Sequence, residues 1–361
     1  MIKEMTAEAK LAFAMLKHPR LGENSPLSDL EESIVCMIVE ATTEVTNVVR
    51  EMLPGECLEV GPAEGSWAPR YVAIDGNGRI LVSDYDNHQV RVFNVEAEDV
   101  SLERSVGERG AKDGQLSMPL GVAVSSNGDI VVADSRNHRL QVFSCDGTFV
   151  RSIGCKGGEV GEFQFPMGVA VDPEGNIAVA DWGNNRIQIF DADGQFRRSI
   201  GGLGDGDGEF GHPAGVAWNE EGTVLVVADC QNDRVQVFER EGVFRHSIRL
   251  PRYAEGAGQV VAEEEDLLLQ FSQLTPPSSS GPCKLEGPMG IAVDTSGNIV
   301  VADKNDRVQV FRQDGTFVRA VGGTGSSRGQ LHGPGGVAVD RAGNIVVADC
   351  KNRRVQIFSS S

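Results

Sequence analysis

Short apolar runs of four to six residues recur along most of this chain, separated by clusters of Gly, Asn and Asp. Residues 166–201 show one full cycle: "PMGVAVDPEGNIAVADWGNNRIQIFDADGQFRRSIG". "GVAV" is apolar, "PEGN" is a turn, "IAVAD" is apolar, and "WGNN" is a second turn. "RIQIF" alternates and is β-branched, "DADG" is a hairpin turn, and "QFRRSIG" is more polar. Runs this short, punctuated in this way, predict four strands in a meander rather than helices. The gradient from an apolar first strand to a polar fourth predicts a unit buried at one edge and wet at the other.

The cycle repeats. Prolines before the first strand stand at Pro69, Pro119, Pro166, Pro213, Pro288 and Pro334, 46 to 50 residues apart except for one gap of 75. Six four-stranded units at this period predict an all-β, six-bladed β-propeller over residues 56–361. The long gap holds an insertion at about 249–286, with the acidic run Glu263-Glu264-Glu265-Asp266, then "DLLLQF", then a Pro/Ser stretch. The sixth unit stops at "RVQIFSSS" without a fourth strand. Residues 56–61, ahead of the first proline, align with that missing strand, so they are expected to close the ring and cover an open sheet edge.

A short α-helical segment, residues 1–54, is predicted before the propeller. Ser28 and Glu31 form a capping box. Ile34, Ile38, Ala41, Val45, Val48 and Met52 keep a heptad spacing for under three repeats. Two readings stay open: self-association through this helix, or an amphipathic helix lying on the propeller or on a neighbouring helix.

"ADSRNHRLQVF" and "SDYDNHQVRVF" resemble NHL repeats, with Asn137, His138 and Leu140 and again Asn87 and His88 in place. Residues 322–358 are similar to the propeller of animal tripartite-motif NHL proteins. The resemblance implies that the propeller recognises a protein substrate or RNA. In that family an upstream RING gives ubiquitin-ligase activity. This sequence holds no Cys/His clusters of a RING or B-box, so any part in a ubiquitin pathway is expected to run through a partner.

Charge shifts the balance between those two ligands. The 361 residues carry a formal charge of −19. Nucleic-acid binding needs a basic footprint, which here could only be local. The seven cysteines include no CxxC pair and read as reduced thiols of a cytoplasmic protein. No apolar stretch reaches the length of a membrane helix, and the N-terminus lacks a signal pattern.

An Asp closes the second strand of each unit and an Arg opens the third in five: Asp84, Asp134 with Arg139, Asp181 with Arg186, Asp229 with Arg234, Asp303 with Arg307, Asp349 with Arg354. With four residues between Asp134 and Arg139, such pairs are expected to meet across the hairpin as structural struts, worth roughly 0.2–1 kcal/mol if exposed. "GGLGDGDGEFG" lacks a following helix and a calcium-loop pattern, so it holds neither phosphate nor metal. The first strands, "GVAV", "GVAW" and "GIAV", offer no converging ligands of the sort used by lyases and lactonases of similar fold. No catalytic residue, metal or cofactor is assigned, and the chain is expected not to be an enzyme.

The variable turn tips and connections on one face are the expected binding surface. They present Tyr85, Arg109, Arg136, His138, Lys156, Trp182, Arg328, Lys351 and Arg353, with the acidic Asp205, Asp207 and Glu209 on another sector. Trp182 reads either as a binding anchor or as packing on the next blade. A protein or peptide ligand is favoured; single-stranded RNA on the same face is the alternative.

Overall fold

The computed structural model describes residues 57–61, 67–96, 99–249 and 284–360. The expected helical segment at residues 1–54 and most of the insertion at about 249–286 lie outside them. The described chain forms an all-β propeller of six four-stranded sheets. From inner to outer strand, blade 1 is Pro69–Ile74, Ile80–Asp84, Gln89–Glu96 and Asp99–Val106. Blade 2 is Val122–Val124, Ile130–Asp134, Arg139–Phe143 and Phe149–Ile153. Blade 3 is Pro166–Val171, Ile177–Asp181, Arg186–Phe190 and Phe196–Ile200. Blade 4 is Pro213–Trp218, Val224–Asp229, Arg234–Glu239 and Phe244–Ile248. Blade 5 is Ile291–Val293, Ile299–Asp303, Arg307–Phe311 and Phe317–Gly322. Blade 6 is Pro334–Val339, Ile345–Asp349 and Arg354–Phe358, and Cys57–Val60 supplies its outer strand, Cys57 opposite Phe358. Inner strands begin at their proline in four blades, but only at Val122 and Ile291 in blades 2 and 5.

Apolar side chains on facing sheets interleave between neighbours. Ala170, Ile187 and Ile189 of blade 3, for example, pack with Val216, Leu225 and Phe238 of blade 4. This inter-blade burial is the main stabilising term of the ring.

Five blades carry glycine two residues after the proline, in or just before the inner strand: Gly121, Gly168, Gly215, Gly290 and Gly336. A Cβ there would lie 2.3–2.6 Å from backbone atoms of the next blade, so the backbones approach too closely for any side chain. Blade 1 has Tyr71 at this position. Its side chain is buried, and its hydroxyl crosses the axis to donate to the Ala214 carbonyl of blade 4 at 3.1 Å. Burial pushes the phenol pKa far up. The glycines leave room around the axis, and Tyr71 fills it.

The expected struts are hubs rather than exposed pairs. In blade 2 the Asp134 carboxylate is fully buried. Its Oδ1 accepts from the Ser117 amide at 2.7 Å. Its Oδ2 accepts from Asn137 Nδ2 at 2.8 Å, Arg139 Nε at 2.9 Å and Gln141 Nε2 at 3.2 Å. The same side chains clamp the incoming connection. Asn137 donates to the Gly110 carbonyl, Arg139 to those of Lys112 and Gln115, and Gln141 to that of Gln115. Blades 3, 4 and 6 repeat the hub around Asp181, Asp229 and Asp349. In blade 1 the order of Arg and Gln is exchanged, and Arg91 reaches Asp84 at 2.8 Å. The 0.2–1 kcal/mol of an exposed pair does not apply to these buried ones: removing one partner leaves an uncompensated buried charge, costing about 3–5 kcal/mol.

Blade 5 departs from the rule. Its turn has three residues between Asp303 and Arg307, not four. Arg307 Nε is 3.3 Å from Asp303. Asn305 gives Asp303 its backbone amide instead of its side chain. Asn305 Nδ2 and Gln309 Oε1 are buried with no partner among the described residues. Elsewhere these two atoms bond the incoming connection, as Asn137 and Gln141 do with Gly110 and Gly114. Burial pushes the Asp303 carboxyl above its ordinary pKa despite Arg307.

Candidate interaction face

The turns between second and third strands, together with the blade-to-blade connections, make one face. In blades 2, 3 and 4 each turn is a single 3₁₀ turn closed by a left-handed residue: His138, Asn185 and Asp233. His88, Asp306 and Arg353 hold the corresponding place, also at φ 54–58°. Such a φ is strained for a residue with a side chain, and hydrogen bonds to the next blade accompany it. His88 Nδ1 accepts from the Met118 amide at 3.0 Å and His138 Nδ1 from the Phe165 amide at 3.1 Å. Asn185 Oδ1, Asp233 Oδ1 and Asp306 Oδ1 accept likewise from His212, Gly287 and Gly333. At the sixth junction the Arg353 carbonyl accepts from Trp67 Nε1 at 2.6 Å. Together these bonds strap every blade to its successor.

His138 is therefore not an exposed turn tip. It is 8% exposed, packs on Phe165 at 4.4 Å between ring centroids, and must keep Nδ1 unprotonated to accept. Burial, with Lys156 and Arg136 nearby, holds its pKa below the ordinary value; burial and Arg109 do the same for His88. Sequence reasoning put His138 on the face because it read the turn without the connection folded over it. The recurrence of His, Asn and Asp at one position was the available signal, since all three can accept.

Tyr85, Arg136 and Trp182 come together. Tips of blades 1, 2 and 3, they surround a cavity of about 350 Å³ whose other walls are Leu120, Ser135, Phe165 and Met167. Arg136 is exposed; Tyr85 and Trp182 are half-buried. Each aromatic ring is braced on one side. Trp182 stacks on His212 at 4.2 Å and 18°, and the Arg70 guanidinium sits 4.9 Å over Tyr85. Trp182 thus both packs toward blade 4 and walls the cavity. Arg109, Lys156, Arg328, Lys351 and Arg353 are exposed on connections and turn tips of this face, but none lines the cavity.

Among the described residues, no group of three His, Cys, Asp or Glu could hold a metal ion. Five described cysteines are free thiols, with Cys145 and Cys155 exposed and Cys350 pushed up to about 11 by burial. No described helix is long and apolar enough to cross a membrane.

Comparison with known proteins agrees with this architecture. The NHL repeat matches at residues 68–93, 116–143, 163–190 and 331–358, so the chain carries NHL repeats in a six-bladed propeller. No curated protein matches the sequence significantly. Among solved structures, a streptogramin B lyase is similar at TM-score 0.56 and 13% identity, over 84% of this chain and 97% of that one. A gluconolactonase from Xanthomonas campestris gives 0.56 and 14%, over 84% and 89%. A nidogen/laminin complex gives 0.50 and 16%, over 71% and 80%. At these identities the likeness is one of fold.

Two of the three are enzymes, which overturns the expectation that this chain is not one: the fold does not exclude catalysis. The earlier inference considered only the inner strands. It missed that Asp172, Asp294 and Asp340 directly follow three of them at the channel mouth, and that turns and connections carry titratable groups of their own.

Proposed function

We propose that the face formed by the second-to-third-strand turns is a docking surface for a protein or peptide segment, with the cavity between Tyr85, Arg136 and Trp182 as its anchor. The observation that carries this reading is the composition of that cavity. Two braced aromatic rings and a guanidinium surround an apolar floor, the combination found where a few residues dominate binding energy. The bracing also lowers the ordering cost of binding. The fitting ligand is an extended segment with an apolar side chain for the floor and a carboxylate for Arg136. On the resemblance to tripartite-motif NHL proteins, such a segment would belong to a substrate presented to a separate ubiquitin ligase.

The test is selection of displayed peptides on the full chain, followed by titration against Trp182→Ala, Tyr85→Ala and Arg136→Glu. Loss of one anchor should weaken a selected peptide at least about tenfold, with the melting temperature nearly unchanged. Peptides that bind all three variants as tightly as wild type overturn the reading. Single-stranded RNA titrated over a salt series is the parallel arm. Retention that falls steeply with salt and depends on Trp182 replaces the peptide by RNA.

A further inference from the structure

The recess between Tyr85, Arg136 and Trp182 is selective about charge. Arg136 is the one charged side chain among its walls; the rest are aromatic or aliphatic, with Met167 and Ser135. This guanidinium is held but not neutralised. Its Nε donates to Met118 Sδ at 3.3 Å, which fixes its plane. Among the described residues no carboxylate pairs with it, and its two terminal nitrogens have no partner. A guanidinium fixed in plane with both terminal nitrogens available takes a carboxylate through two parallel hydrogen bonds. A cationic ligand finds no opposite charge on these walls.

The recess is also small. About 350 Å³ is near the lower end of the roughly 300–1,000 Å³ of small-ligand sites. Leu120 and Met167, each following its blade's proline, form its floor. One layer deeper, level with Gly121 and Gly168, Tyr71 crosses the axis to blade 4, so the recess does not run on into the channel. Side chains of an extended segment alternate between faces, and the next on the same face stands about 6.6 Å along. An internal Asp or Glu with an apolar partner on its own face therefore needs room for two residues. The last residue of a chain needs room for one, because its side chain and its carboxylate leave the same Cα.

We infer that the recess reads the free C-terminus of a polypeptide: the last side chain, large and apolar, enters between Tyr85 and Trp182, and the α-carboxylate forks onto Arg136. Arg136 is exposed, so the carboxylate stays at the rim while the side chain goes in. Chain-end recognition rests on the reading of this face as a peptide-docking surface and narrows the ligand from a segment to a terminus.

The probe is an N-acetylated Gly-Ser-Gly-Ser peptide ending in Phe, Leu, Met or Ala, titrated into the full chain in three forms: free acid, C-terminal amide, and extended by Gly-Ser-Gly. The acids ending in Phe, Leu or Met should bind at least about tenfold more tightly than their amides, their extended forms and the Ala acid. Arg136→Gln should remove the preference for acid over amide and leave the amide's affinity unchanged. Trp182→Ala should remove the preference for a large last side chain. Both positions are turn tips, and an unchanged melting temperature shows that the variants fold. The inference falls if acid, amide and extended forms bind alike, if no acid of the panel binds, or if Arg136→Gln keeps the preference. In each of those cases the docking surface still stands if internal displayed peptides lose affinity with Trp182→Ala, and falls with the inference if they do not.

Discussion

Blades 2 and 5 have the same Asp, Arg and Gln at their turn, and in both the Arg grips the incoming connection, but among the described residues blade 2 shows the fuller set of clamps. In blade 2, Asp134 gathers three side chains that in turn grip the connection arriving from blade 1. In blade 5 the turn is one residue shorter, and two of the gripping atoms are left unpartnered among the described residues. The pairing of Asp and Arg is thus not what fixes a blade. What fixes it is the third element, a connection of the right length delivering carbonyls and amides to the hub. Blade 5 is entered through the insertion, and among the described residues its hub shows fewer of these bonds than blade 2.

The largest contrast is expected from removing the carboxylate. Asp181→Ala should cost about 3–5 kcal/mol, because Arg186 is left charged and mostly out of water. Asp303→Ala should cost less, because its charge is already opposed by burial. Urea unfolding of both variants checks this, and equal losses would remove the distinction between the blades. A smaller contrast tests the clamp itself. Asn137→Ala discards bonds to Asp134 and Gly110 and should cost about 1–3 kcal/mol. Asn305→Ala removes a side-chain amide that has no partner among the described residues and should be neutral or slightly stabilising, and hydrogen exchange should report faster opening of blade 2 only.

The smallest effect is the pH dependence. His88 and His138 are held below the ordinary imidazole value, so the unfolded state binds protons first. Their contribution is complete above about pH 6.5 and is lost as pH falls toward their lower folded values. Asp303 runs the other way: its raised carboxyl contributes at low pH, and that contribution is lost as pH rises through the folded value. Melting temperature should therefore drop from pH 7 to pH 5.5. The drop should flatten in the double variant His88→Asn, His138→Asn, since Asn185 shows that an amide can accept in the same place.

The blade count and strand order were legible because six copies average out local ambiguity, and short β-branched runs between Gly and Asn turns admit few alternatives. The Asp–Arg spacing was legible as a pair, but its burial was not. Burial depends on the connection, which varies in sequence while keeping its backbone contacts. Trp182, Arg136 and Tyr85 were legible as tip residues; that they share one cavity is a matter of blade-to-blade rotation, which no single repeat encodes. The residue that most shapes the axis was missed. Tyr71 stands in a column of glycines. It was visible as the odd letter in an aligned repeat, but reading for what repeats hides it.

The closing strand has a mechanical side. Cys57 pairs with Phe358 and Val60 with Val355, so the two ends of this seam emerge at the same edge. Tension applied through residues 57 and 358 would load the bonds one after another, as in a zipper, rather than all at once. The ring, held by six inter-blade interfaces, should then open under small pulling forces, starting at Cys57 and reaching the buried Val60 last.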